Sequence, residues 1–188
     1  LDEDQRGEPR PQGEGCDIGA FEAAVDNNDD FPGMTVNLEV PDGTVGGIFY
    51  HETNTLDATI EENEPGVGGH SVWYQFTPTI DQAGTIHAWT KGSDFDTRLL
   101  VITAGADQWP IDEEHDGWVG ENDDSDFEGE GTVQSHVQWD AIEGVTYYIQ
   151  ASGYGTNSGN LKFQVHEDGA AGTIGVSGLS TSNAKSKQ

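Results

Sequence analysis

Between about Met34 and Val165 apolar and polar residues alternate with a period of two, and no helical period lasts two turns. Val72, Tyr74 and Phe76 share one face of a strand. So do Val133, Ser135, Val137 and Trp139, and likewise Leu161, Phe163 and Val165 with Lys162 and Gln164 opposite. Trp73 falls opposite its neighbours and is expected to pack under a loop. Strands are expected at Thr35–Val40, Thr44–Tyr50, Ser71–Thr77, Thr85–Thr90, Thr97–Thr103, Thr132–Trp139, Thr146–Ser152 and Asn160–His166. One face buried and one wet is the pattern of an antiparallel sheet. About eight such strands separated by Gly, Asp and Asn turns predict an all-β, jelly-roll-like sandwich.

The chain divides into an extended N-terminal arm over 1–27, the sandwich over 28–167, and a Gly/Ser-rich tail over 168–188. The tail holds Thr173-Ile174-Gly175-Val176-Ser177, which alternates and suits a strand added to an open sheet edge. Between Ala104 and Gly131 runs a long acidic stretch. A loop of that length calls for structure of its own, and a short strand is expected around Gly117–Gly120. Starting at Leu1, with no leader-like run, the chain reads as a processed product or an excerpt of something longer.

Seven Lys and Arg stand against 35 Asp and Glu, a formal charge of −28. That field repels nucleic acid and anionic membranes and attracts divalent cations. High-salt adaptation and plain solubility explain it equally. The single Cys16 excludes an internal disulfide and reads as a small, partly buried thiol.

Oxygen-rich turns suit calcium, which takes six to eight such ligands. The candidates are Glu62 and Glu64 before the Val72 strand, Asp94 and Asp96, and Asn122, Asp123 and Asp124. Solvated acidic loops are the plainer alternative. Asp94 and Asp96 also suit turn capping, with Arg98 as an ion-pair partner for either. Trp89, Trp109, Trp118 and Tyr154 are candidates for an aromatic platform on polysaccharide, unless they cover core edges. His87, His136 and His166 fall on the wet faces of their strands and read as surface residues, whereas His70, near Glu64, is the one to watch. No Gly-x-Ser-x-Gly elbow or His/Cys metal spacing occurs, so a catalyst is not expected.

The ordered segments Val72-Trp73-Tyr74-Gln75-Phe76-Thr77-Pro78, Gly92-Ser93-Asp94-Phe95-Asp96-Thr97-Arg98-Leu99, Asn122-Asp123-Asp124 and Thr146–Tyr154 resemble the bacterial pre-peptidase C-terminal domain. That resemblance implies a secreted, non-catalytic β-sandwich that often binds calcium through loop carboxylates, for which Glu62, Glu64 and Asn122–Asp124 are the nearest matches. Residues 1–25, with Asp4-Gln5-Arg6-Gly7 and Cys16-Asp17-Ile18-Gly19-Ala20-Phe21-Glu22, resemble the closing segment of bacterial right-handed β-helix adhesins. Together they imply an extracellular, cell-surface module that assembles with copies of itself or other surface proteins. The alternative is a polysaccharide- or collagen-targeting accessory of a larger secreted hydrolase.

Overall fold

A computed structural model describes residues 28–40, 46–66, 69–109, 117–125 and 132–168. The arm before Asn28, with Cys16, and the tail after Asp168 lie outside the described residues. Nine strands follow in chain order: β1 (Met34–Thr35), β2 (Ile48–Asn54), β3 (Gly69–Phe76), β4 (Gly84–Trp89), β5 (Thr97–Ile102), β6 (Trp118–Asn122), β7 (His136–Ala141), β8 (Tyr147–Gly153) and β9 (Asn160–Glu167). They form two sheets, ordered β1-β3-β8-β5-β6 and β2-β9-β4-β7. All pairings are antiparallel except β1 with β3.

The period-two faces meet between the sheets. Val72, Tyr74, Phe76, Leu99, Val101, Ile149 and Ala151 face Ile86, Ala88, Val137, Leu161, Phe163 and Val165 in one core cluster. The Tyr74 and Phe163 rings stack across the interface with centroids 3.8 Å apart. Each such large apolar side chain contributes on the order of 2 kcal/mol by leaving water.

The five-stranded sheet departs from the one-wet-face expectation. On its outer side Trp73, Leu100 and Ile102 are fully buried and form a second cluster with Ala104, Phe31, Trp109, Trp118 and Tyr148. Trp73 stacks on Trp109 at 5.4 Å, and Phe31 meets both rings edge-on. Trp73 does pack under a loop. The close fit requires Gly33, which has φ +75° and whose Cβ, if present, would sit 1.9 Å from the Trp73 carbonyl oxygen.

Three strand expectations need correction. Thr35–Val40 pairs only at its start, then bridges Glu39 to Ile48. The second strand runs Ile48–Asn54 rather than Thr44–Tyr50. The strand expected over Thr132–Trp139 is β7 and begins only at His136, because the Ser135 N–H turns to the Thr90 and Thr97 hydroxyls at 2.8 and 3.0 Å. Val133 is consequently half exposed, outside the face it was expected to share. The short strand expected near Gly117–Gly120 is β6, paired with β5.

Candidate functional site

The acidic loops separate into three unlike environments. Asp94 caps a turn: its two oxygens accept from the Asn160 N–H at 2.8 Å and the Asn160 amide at 2.7 Å. Arg98 pairs with neither aspartate; it donates to Glu121 and to the Gly66 carbonyl. Asp96 lies instead beside Asp123 and Asp124. Its carboxyl is raised above the ordinary aspartate value by burial first, then by the charges of Asp124 and Asp123. The Asp123 carbonyl is held by Ser135 Oγ at 3.0 Å, and Asn122 bridges the His136 N–H to the Asp124 carbonyl.

Glu62 is exposed in its turn, while Glu64 is buried. Glu64 Oε1 accepts from the Trp73 indole at 3.0 Å and the Gln150 amide at 2.5 Å, and Oε2 from the Glu61 N–H at 2.8 Å. Burial, with the Glu61 carboxyl next, pushes its pKa up to about 7. This carboxyl latches its loop to the buried outer face of β3 and β8. His70 holds the same loop through the Ala58 carbonyl, 3.1 Å from its Nδ1. Among the described residues, no three His, Cys, Asp or Glu side chains converge closely enough to hold a metal ion.

The candidate aromatics do not form one platform. Trp109 and Trp118 belong to the second cluster, Trp89 lies on the other sheet, and Tyr154 is exposed on the turn after β8.

Histidine is where the tertiary structure adds most. The expectation that His87, His136 and His166 are ordinary surface residues is wrong for His87 and His166, which are 6% and 8% exposed. They come from three adjacent strands: His87 pairs with His166 across β4 and β9, and His136 lies beside Trp89 across β4 and β7. His87 Nδ1 and His136 Nε2 are 2.9 Å apart. The ring planes are 12° from parallel with centroids 5.2 Å apart, so ring radii take up the difference and the rings meet edge to edge. His166 lies 4.8 Å from His87 on its other side, and its buried Nε2 has no hydrogen-bond partner. Trp89 walls both His136 and His166 at 5.1 and 5.2 Å.

The other His87 nitrogen, Nε2, faces Asp168 Oδ1 at 3.9 Å. Which of His87 Nδ1 and His136 Nε2 donates depends on the tautomers of the two rings. Burial, then His166, lowers the His87 pKa against the opposing pull of Asp168. His136 also lines a small, partly open cleft. Trp89 and Lys91 join His136 there, against Ser125, Thr132, Gln134 and Ser135. Behind it the buried Thr90, Thr97 and Ser135 hydroxyls bond one another at 2.6 and 3.2 Å and fix the wall.

Strand phase puts His87 and Trp89 on one side of β4, but phase alone does not say which strands are neighbours.

Compared with known proteins, the chain matches no family model and no curated protein. Among solved structures it is similar to PliG of Aeromonas hydrophila, a periplasmic lysozyme inhibitor of g-type lysozyme. The identity is 14%, the TM-score 0.38, and the match covers 70% of this chain and 94% of that one. No helix among the described residues is long and apolar enough to cross a membrane.

Proposed function

We propose that this is a non-catalytic, extracellular β-sandwich of the pre-peptidase C-terminal type, stabilised by calcium and serving adhesion or self-assembly through its arm and tail. The observation that supports the calcium reading is that the charges of Asp124 and Asp123, after burial, raise the Asp96 carboxyl at one end of the sandwich. Like charges that act on one another in a chain of net charge −28 favour a counter-ion. The donor set is all oxygen, which suits calcium in kind. The side chains are not drawn into a finished cage, so ion binding would have to close the loops around itself. When bound, the ion supplies charge neutralisation and a cross-link between the turn before β5 and the segment after β6. Asp94 and Glu64 already serve hydrogen bonds of the fold, which leaves Asp96, Asp123 and Asp124 as the ligands to test first.

The test is sedimentation of the full chain with calcium and then with excess chelator at moderate salt. Large species that dissolve on chelation support a calcium-linked assembly subunit. A monomer in both conditions overturns assembly and favours the targeting module instead. A melting curve in the same two buffers separates calcium binding from assembly, since an ion bound only to the folded chain raises its midpoint.

A further inference from the structure

We infer that Glu61 and Glu64 hold one proton between them and that this proton is a latch. While it is present the segment 28–31 stays seated on the outer face of the five-stranded sheet; when it leaves for solvent the segment undocks. The latch goes beyond the calcium reading, which assigns the ion to Asp96, Asp123 and Asp124, and does not depend on it.

The first argument is an unmet oxygen. Glu61 Oε1 accepts the Phe31 N–H at 2.6 Å, but Glu61 Oε2 is buried and meets no donor. A buried acceptor without a donor is costly. The Glu61 side chain lies within hydrogen-bonding reach of the Glu64 carboxyl, which is itself 3% exposed. Both Glu64 oxygens are already held, Oε1 by the Trp73 indole and the Gln150 amide, Oε2 by the Glu61 N–H. Two carboxylates in such contact repel each other with little water to screen them. One proton between them removes the repulsion and supplies the missing donor. Burial, and then Glu61, raise Glu64 to about 7, in line with that arrangement.

The second argument is what the pair holds together. Glu61 grips the segment 28–31 and Glu64 grips β3 and β8, so the shared proton lies in the path between them. The Asn28 carbonyl accepts the Trp73 N–H at 2.6 Å. Asp29 accepts the Thr59 N–H at 2.6 Å and the Thr59 hydroxyl at 3.1 Å. The Phe31 ring meets Trp73, Trp109 and Tyr148 with centroids 5.2, 5.1 and 4.6 Å away. Beyond it β1 adds a ladder of only two residues to the sheet edge. A doubly charged pair is relieved by admitting water, which lifts the turn and carries Glu61 off the Phe31 N–H. The segment follows directly on the arm over 1–27, so the same proton sets how the chain enters the sandwich.

The surroundings leave the pair to its proton. On the segment, Asp29 is bonded to Thr59 and Asp30 is exposed. On the turn, Glu62 is exposed. From β3, His70 is bonded to the Ala58 carbonyl, and the Ser71 hydroxyl offsets part of the rise at Glu64. From β5, Arg98 is spent on the Gly66 carbonyl and on Glu121 of β6. From β8, Gln150 brings an amide and Tyr148 packs on Phe31. Among the described residues none brings a cation to either carboxyl. A divalent cation in place of the proton is a weaker reading. Three of the four oxygens already accept N–H groups, and no three ligating side chains converge among the described residues.

The experiment places a nitroxide at Asp30→Cys in the full chain, with Cys16→Ser so that a single thiol is labelled. Label mobility is read by electron paramagnetic resonance from about pH 5.5 to about pH 8.5 in chelator, with far-ultraviolet circular dichroism on the same samples. The label should be immobile at the low end. The ratio of mobile to immobile signal should rise through about pH 7 by up to about tenfold per unit, the limit for one proton. Phe31→Ala should be mobile throughout and marks the released state. Glu64→Gln and Glu61→Gln each put a permanent donor between the two side chains and should stay immobile across the range. A signal that does not change with pH overturns the proposal, as does a change that survives in both glutamine variants. Mobilisation that comes with loss of the strand signal is global unfolding and overturns it too. The chelator keeps the result separate from the calcium reading, which concerns other carboxylates.

Discussion

The Trp73 indole N–H donates to Glu64 Oε1 at 3.0 Å in a site where Glu64 is 3% exposed. Its carboxyl has an ordinary value of 4.5 and is raised to about 7 in the fold, by burial before any other cause. A raised acid stabilises the fold below its unfolded pKa and loses that contribution as pH rises through the folded one. Stability should therefore decline between about pH 4.5 and pH 7 by on the order of a few kcal/mol from this group. Glu64→Gln should flatten that segment of the curve, measured by urea unfolding across the range. An unchanged slope would rule out Glu64 as its source.

His87 acts in the opposite direction. Its lowered pKa means the neutral ring is favoured in the fold, so its contribution is full above pH 6.5 and is lost as pH falls through the folded value. Because Glu64 gains stability over part of that range, the effect is best read as a difference. His87→Gln should lose less stability than the parent between pH 6.5 and about pH 5, by unfolding midpoints in matched buffers.

Asp96 tests whether the acidic end of the sandwich is repulsive. Asp96→Asn should stabilise the fold in chelator by on the order of a few tenths of a kcal/mol to 1 kcal/mol, read as a higher melting midpoint. The same change should blunt the rise in midpoint on adding calcium. A variant that melts lower in chelator and responds fully to calcium would contradict both parts.

Gly33→Ala should be costly for its small size. The added methyl meets the Trp73 carbonyl at 1.9 Å, and φ is +75°. A loss of about 2 kcal/mol or more is expected, with near-ultraviolet circular dichroism showing loosened tryptophan packing. Gly144→Ala, also at positive φ but with open space around its Cβ, is the control and should cost less.

Much of the architecture was legible because strand phase is local. The alternation of Val72, Tyr74 and Phe76 needs no partner to be read, and these residues are in the core. The burial of Trp73 under a loop followed from its being out of phase. Less legible was the outer face of the five-stranded sheet. Leu100 and Ile102 lie on that face in the run Arg98-Leu99-Leu100-Val101-Ile102, where apolar residues occupy both phases and alternation gives no side. The start of β7 was misplaced for a related reason. Ser135 continues the alternation on paper, but its backbone is drawn off by hydroxyls about 40 residues away in sequence.

The sequence by itself determined the fold class, the phase of each long strand and the excess of negative charge, since all three depend on residue type and near spacing. Strand order was decided only by tertiary structure, because pairing joins segments whose separation in sequence carries no local signal. That order puts β4 between β9 and β7, and so gathers three scattered histidines into one cluster beside a cleft. It also brings Asp96 to Asp123 and Asp124 while leaving Asp94, two residues away, to cap a turn. Burial followed the same division. Glu64 and Glu62 are the same residue type in one loop, and only burial against Trp73 and Gln150 sets them apart.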